Sequence, residues 1–121
     1  MGMTDPSASG VLRVDPHTVA VPLVPVDRDP VGPSTGSVVV GTVDDMAVGV
    51  WDHTVGSSTD VEDDEVFIVI SGSVTVVEEG HGETLFGPSD IGILRAGART
   101  EWIVHEPLRK VWVARGGDGD G

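Results

Sequence analysis

An acidic side chain at the start of an apolar strand is the strongest candidate for chemistry in this sequence. Glu65 is followed by Val-Phe-Ile-Val-Ile-Ser and then by Gly72. Because side chains alternate across a strand, Glu65 shares a face with Phe67 and Val69, and we expect that face to point inward. A carboxyl group among apolar side chains can act as a general base or acid. A structural carboxylate, hydrogen-bonded to neighbouring strands, is an equally good interpretation.

Among the four histidines, His53 is the best catalytic partner for Glu65. It shares a strand face with Trp51, whereas alternation places His105 on the opposite face from Trp102. The sequence thus predicts Glu65 and His53 as the catalytic residues if the protein is an enzyme. Whether it is one stays open, because there is no serine elbow, phosphate loop or nucleotide fingerprint.

Aromatic residues near these groups are candidates for the wall of a binding pocket. Indole and phenyl rings can stack on a planar or cationic ligand. The alternative is that they fill the core, since the chain has only two Phe and no Tyr. Trp112 is expected in the core or an interface. The predicted ligand-binding residues are Trp51, Phe67, Thr100 and Trp102.

Charged residues cluster in two places along the chain. Four of the seven basic residues, at positions 95, 99, 109 and 110, all lie in the last third, and an acidic run occupies residues 60–64. We expect the basic residues to pair with the acidic run at the surface or to recognise a carboxylate ligand. Apart from Glu65, the acidic run is expected to be a solvated loop. The residues concerned are Arg95, Arg99, Arg109 and Lys110, and Asp60, Glu62, Asp63 and Asp64.

The composition limits the possible partners and compartments. At 121 residues and 12.6 kDa the chain fits one domain. A net charge of −13 and a pI near 4.3 disfavour nucleic acid and anionic membranes. No apolar run is long enough to span a membrane, and the N-terminus lacks a secretion signal. Without cysteine there is no disulfide or thiolate chemistry. We therefore expect a cytoplasmic protein.

Short valine-rich runs, broken by Gly, Pro and Asp, predict an all-β fold. Tight turns are expected at residues 43–46 and 79–82, and a loop at 27–36. The prolines at 22 and 25 confine the first strand to a sheet edge. The tails, residues 1–10 and 116–121, are expected to be disordered around a domain at 11–115. The predicted strands are 18–24, 37–43, 46–54, 65–70, 73–79, 83–86, 91–95, 99–105 and 108–115.

Two segments resemble the paired motifs of the cupin superfamily. Residues 50–56 with 64–72 are similar to its first motif, and residues 87–102 to its second. Over residues 35–115 the chain is most similar to small single-domain cupins related to the ureidoglycine aminohydrolase cupin domain and to ethanolamine-utilisation cupins. The resemblance implies a jelly-roll β-barrel with a short N-terminal arm. It also implies a homodimer in which strands of the arm pair across the interface.

Most metal-ligand positions of the cupin motifs carry other residues in this chain. By resemblance, Glu65 keeps its ligand position, and Thr100 replaces the histidine of the second motif. The first two histidine positions fall on Thr59 and Val61, or on Ser58 and Asp60, in a shortened loop. Since zinc, iron and nickel sites favour imidazole ligands, we predict no metal and no cofactor.

The sequence therefore predicts a barrel that binds a small polar metabolite in its interior beside Glu65. The resemblance suggests a nitrogen-containing metabolite or an organic acid, with metal-free acid/base chemistry such as elimination, isomerisation or C–N hydrolysis. One alternative is a non-catalytic sensor or assembly subunit. Another is a metal-dependent cupin enzyme acting on C–N or C–O bonds. The fold alone does not choose among them.

Overall fold

Valine-rich segments form antiparallel strands throughout the part of the chain that the computed structural model describes, residues 10–28 and 30–116. The all-β, jelly-roll prediction is confirmed, and the regular helical structure in the described residues is a three-residue 3₁₀ turn, Val26–Arg28. The strands are β1 (Val24–Pro25), β2 (Ser34–Val43), β3 (Met46–His53), β4 (Gly56–Val61), β5 (Glu65–Glu78), β6 (Gly82–Phe86), β7 (Ile91–Leu94) and β8 (Arg99–Arg115).

Two long strands, β5 and β8, pair with each other along their lengths and organise the fold. The second half of β8 also pairs with β3, and β2 and β1 continue the sheet to its edge. The first half of β8 pairs with β4. On β5, the first half pairs with β7 and the second half with β6. Each long strand therefore belongs to both halves of the barrel.

Both long strands were predicted as two shorter ones, and this was wrong. Residues 71–72, the gap between predicted strands 65–70 and 73–79, form an irregularity within β5. Register shifts occur between Val69 and Val74, and Gly72 has a φ of +87° with no room for a side chain against the backbone of Pro107. Such bulges bend a strand without ending it.

Three further parts of the fold differ from the prediction. Strand β4 was missed because Ser, Thr and Asp dominate it, and these residues favour turns when considered alone. Of the first predicted strand, 18–24, only Val24 pairs with β2; the pairing continues to Pro25 and lies at the sheet edge, as expected. The predicted 27–36 loop ends earlier, because β2 begins at Ser34. The turns at 43–46 and 79–82 are present.

The core lies between the two halves of the barrel and contains large rings. Gly49 and Gly92 leave the space into which the rings of Trp112 and Phe67 fit, because a side chain at either glycine would overlap them. Trp112, which was expected in the core or in an interface, therefore lies in the core. The buried apolar cluster comprises Ala47, Trp51, Phe67, Val69, Val74, Val76, Trp102, Val104, Leu108, Trp112 and Ala114.

The N-terminal arm, residues 10–23, contacts the outside of its own barrel. Arg109 Nη1 donates to the carbonyls of Pro16 (2.9 Å) and His17 (3.3 Å). The predicted disordered tails fall outside the described residues, except for Gly10 and Gly116. Among the described residues, no helix has the length and hydropathy of a transmembrane segment.

Candidate functional site

Glu65 forms an ion pair with Lys110 inside the barrel. Lys110 Nζ lies 2.7 Å from Glu65 Oε2, and the two side chains are 0% and 3% exposed. The strands β5 and β8 hold the two residues on their inward faces, four register positions apart along the ladder. The prediction that Lys110 pairs at the surface is wrong, because β8 turns this side chain inward.

Three aromatic rings surround the Lys110 ammonium group. Its Nζ atom lies 4.5 Å from the ring centroid of Phe67, 4.6 Å from that of Trp102 and 4.7 Å from that of Trp51. Each distance is within the range of a cation–π interaction. The rings also contact one another, with centroids 5.5 Å apart for Trp51–Trp102 and 5.6 Å for Phe67–Trp102. We call Glu65 and these three rings the interior cage.

A second buried carboxylate, Glu62, lies near the cage. Its Oε2 accepts hydrogen bonds from Thr100 Oγ1 at 2.6 Å and Trp102 Nε1 at 2.9 Å. The prediction that Glu62 belongs to a solvated loop is wrong. Glu62 is only 3% exposed, so water does not solvate its carboxylate. The two neutral donors supply the hydrogen bonds that water would otherwise make.

His53 and Ser58 form a hydrogen-bonded pair at one end of the barrel. His53 Nδ1 lies 2.6 Å from the Thr54 carbonyl, and Nε2 lies 2.8 Å from Ser58 Oγ. A carbonyl only accepts, so Nδ1 carries the proton and Nε2 of the neutral ring accepts the Ser58 hydroxyl. Burial lowers the pKa of His53, and the Thr54 carbonyl opposes this shift. The neutral ring is thus favoured.

A cavity of about 330 Å³, which we call the mouth cleft, lies beside this pair. Its lining combines hydroxyl groups, one carboxylate and an indole, so it offers hydrogen bonds as well as an apolar wall. The lining residues are Val24, Val26, Thr35, Gly36, Ser37, Trp51, His53, Ser58, Thr59 and Asp60.

The residues present do not fit a cupin metal centre. Across residues 10–28 and 30–116, no three His, Asp or Glu side chains come together in a group that could hold a metal ion. Glu65, the retained ligand position, bonds to Lys110 instead, and Thr100 bonds to Glu62. A positively charged ammonium group beside the carboxylate opposes the approach of a second cation.

The structure brings the predicted site residues into two neighbouring places. Glu65, Phe67 and Trp102 lie in the interior cage, Thr100 lies against Glu62, and His53 lies at the mouth cleft. Trp51 belongs to both places. His105 lies outside, with Nε2 2.7 Å from Thr75 Oγ1, as alternation predicted.

Three residues of this region were missed from the sequence: Lys110, Glu62 and Ser58. The sequence did contain a signal for Lys110. Along β8 the inward face carries even-numbered residues, and Lys110 is one of them; the buried ones are 100, 102, 104, 108, 110, 112 and 114. Splitting β8 at Pro107 hid that alternation. No alternation of apolar and polar residues marks Ser58 or Glu62, since β4 and the residue after it have the composition of a loop.

On the outside of β8, Arg109 forms a two-bond pair with Asp52. Nε donates to Asp52 Oδ1 and Nη2 to Oδ2, both at 2.7 Å. The hydrogen bonds that Arg109 donates to Asp52 raise the pKa of Arg109, and partial burial opposes the shift. Arg109 therefore pairs with β3 and not with the acidic run, which corrects the expectation.

Comparison with known proteins agrees with this architecture. The model of a family described as EutQ-like cupin domain matches residues 40–112. No curated protein matches the sequence. The EutQ protein of Clostridium difficile superposes with a TM-score of 0.77 at 16% identity, covering 95% of this chain and 94% of that one.

Two other solved structures share the fold over a smaller part of the chain. The first is a putative ethanolamine utilisation protein Q from Salmonella typhimurium, with a TM-score of 0.61 and 20% identity over 69% of this chain and 71% of that one. The second is a protein of unknown function from Rhizobium leguminosarum, with a TM-score of 0.58 and 24% identity over 72% and 84%. At these identities the likeness concerns the fold alone.

Proposed function

Because the chain belongs to the EutQ-like cupin domain family, we propose that it binds a small polar metabolite, and we place the binding site in the mouth cleft. The observation that carries this proposal is the His53–Ser58 hydrogen bond on the wall of that cleft. It supplies an oriented hydroxyl and a neutral imidazole beside an indole, a combination typical of small-molecule sites.

The chemistry of the cleft favours a ligand with a cationic nitrogen and a hydroxyl group. Asp60 contributes the carboxylate among the lining residues, and the chain carries a net charge of −13. Both attract a small cation. Thr35, Ser37 and Ser58 add hydroxyl oxygens that can accept from a ligand, since the protons of Thr35 and Ser58 are donated to the Asp52 carbonyl and to His53.

Small amino alcohols match this description, and ethanolamine is the simplest probe. The Salmonella protein of the same fold is described as a putative ethanolamine utilisation protein. In our proposal the ammonium group of the ligand faces Asp60, and its hydroxyl replaces part of the hydration of Ser58. A volume of about 330 Å³ leaves room for a compound several atoms larger.

If the bound metabolite reacts, we assign proton transfer to His53. Its Nε2 atom accepts a hydrogen bond in the neutral ring and can accept a proton from Ser58 or from a ligand in its place. The earlier prediction of acid/base chemistry at Glu65 remains a prediction. The Lys110 ammonium group beside Glu65 favours a structural role for that carboxylate.

Binding can be tested by titrating the purified protein with ethanolamine and following tryptophan fluorescence and amide chemical shifts. We expect saturable changes at residues lining the cleft, weakened at least tenfold by Ser58→Ala and His53→Gln. Ser57→Ala is the matched control, because Ser57 is the neighbouring exposed position of β4. Equal affinity in all three variants, or shifts confined to other surfaces, would refute the site.

A second candidate function, a non-catalytic sensor or assembly subunit, is favoured by the filled interior around Glu65. Lys110 and three rings occupy the space where an interior ligand was predicted. This candidate predicts no turnover of any amino alcohol and no stoichiometric metal by elemental analysis. Stoichiometric zinc, manganese, nickel or iron would favour the metal-dependent alternative.

Homodimer formation remains a proposal, and the outer face of the barrel offers a surface for it. Val66, Ile68, Ile91 and Ile93 are 49%, 38%, 65% and 62% exposed on paired strands β5 and β7. Contiguous exposed apolar residues of this kind mark association sites. Light scattering should show a dimer that Ile93→Lys dissociates and the control Leu85→Lys, on β6, does not.

A further inference from the structure

The interior cage has the composition of a receptor for an ammonium ion. We propose that the barrel interior is an alkylammonium-binding site whose ligand is the chain's own Lys110. The inference does not rest on binding at the mouth cleft: the two places share Trp51, but the Lys110 contacts involve neither His53 nor Ser58.

The contacts of Lys110 Nζ are those that recognise an ammonium group. Ring centroids of Trp51, Phe67 and Trp102 lie 4.5–4.7 Å away, and Glu65 Oε2 lies at 2.7 Å. Aromatic faces attract cations through their quadrupole, and a carboxylate adds a charge-assisted hydrogen bond. Several aromatic faces around a cation form the cage that proteins use for methylated ammonium ligands.

The cage does not depend on Lys110 for its assembly. Trp102 packs against Trp51 and Phe67, and Phe67 also packs on Phe86. In addition, Trp102 Nε1 is fixed by Glu62. These contacts orient the rings from four different strands, so the cage should persist when the lysine side chain is shortened.

The charge at this position also favours ammonium over a metal ion. Glu65 occupies a cupin metal-ligand position by resemblance. Here its carboxylate pairs with the Lys110 ammonium group, a monovalent cation at the end of a flexible side chain. Rings provide no donor atoms for a divalent metal, which prefers imidazole or oxygen ligands. Tethering also gives the Lys110 ammonium a local concentration that free amines in solution do not reach. The wild-type interior is therefore closed to external cations.

Chemical rescue tests this assignment. Lys110→Ala deletes Cγ, Cδ, Cε and Nζ, and propylammonium has the same number of non-hydrogen atoms in the same order. We expect propylammonium chloride to raise the melting temperature of Lys110→Ala by about 4 °C or more relative to sodium chloride at equal ionic strength. Refolding yield from urea, with and without the amine, gives the answer even if the variant is unfolded alone.

Three controls separate cage binding from a general salt effect. Wild-type protein and Lys110→Met both keep the space filled, so neither should respond to propylammonium. The double variant Lys110→Ala with Glu65→Gln keeps the space but loses the carboxylate, and its response should fall at least fivefold. Propan-1-ol, which has the same number of non-hydrogen atoms but no charge, should rescue less than the amine.

Each alternative result contradicts the proposal in a distinct way. No amine-dependent stabilisation or refolding of Lys110→Ala would show that the cage does not bind cations. An equal response in wild-type protein would assign the effect to the surface. Preference for a divalent metal over the amine would make Glu65 a metal ligand. None of these results depends on ethanolamine binding at the mouth cleft, which Ser58→Ala tests separately.

Discussion

Arg109 and Lys110 are neighbours in sequence, yet they form ion pairs in opposite environments. Arg109 points out of the barrel to Asp52, with 16% of its side chain exposed, whereas Lys110 points inward to Glu65 with none exposed. Both N–O distances are 2.7 Å. Strand alternation alone thus places one charge near water and the next in the core.

The difference teaches what a buried ion pair does in this fold. Outside, Arg109 uses its planar fork to join β8, β3 and the N-terminal arm. Inside, Lys110 uses a compact ammonium group that three rings can surround. Removing one partner of the inner pair is costly, because the other charge is then left buried. The intact pair need not stabilise the fold relative to an apolar pair, because both charges lost their hydration on folding.

The largest effect is expected when Lys110 alone loses its charge. Lys110→Met keeps most of the volume but leaves the Glu65 carboxylate in the core without the ammonium group, at a cost of about 3–5 kcal/mol. Urea unfolding measures this loss. The double variant Lys110→Met with Glu65→Gln should recover most of it. If the single variant is as stable as wild-type protein, the inner pair is not what holds Glu65.

A smaller loss, about 1–2 kcal/mol, is expected from Arg109→Ala, because the outer pair is partly hydrated. The variant should also release the N-terminal arm, so trypsin should cleave faster after Arg13. The matched control is Arg115→Ala, whose pair with Asp45 is 3.3 Å long and mostly exposed. Unchanged cleavage in Arg109→Ala would show that the arm is held by other contacts.

Glu62 provides an intermediate case, a buried carboxylate held by neutral donors. Glu62→Gln should cost about 1 kcal/mol, because the amide oxygen can still accept from both Thr100 and Trp102 but is a weaker acceptor than a carboxylate. Near-UV circular dichroism should report the changed setting of the Trp102 indole. A loss as large as that of Lys110→Met would mean that Glu62 and the inner pair act as one network.

The smallest effect concerns pH and His53. Its folded-state pKa lies below the ordinary value of 6.5, chiefly because of burial. The unfolded chain therefore binds the proton more readily than the folded protein, so protonation of His53 favours unfolding. The stability that the neutral ring contributes is complete above pH 6.5 and is lost as the pH falls through the folded-state pKa. Unfolding free energies between pH 8 and 5 should fall less in His53→Gln. Parallel curves for the two proteins would contradict this.

Alternation predicted much of the fold and part of the site. It placed Glu65, Phe67, Thr100 and Trp102 on inward faces and His105 outside, and each lies there. It failed at β4, where polar residues form a strand because β8 supplies the partner. Local composition does not reveal a strand whose stability comes from its neighbour.

The sequence by itself determined the all-β class and the inward face of β5, and its two motifs carried the resemblance to the family. The class and the inward face follow from residue type and a period of two, which are local properties. Only the tertiary structure decided the partner of each charge. Lys110 reaches Glu65 across 45 residues and Glu62 reaches Trp102 across 40. Such pairs depend on how two bent strands register against each other, and no local pattern encodes that register.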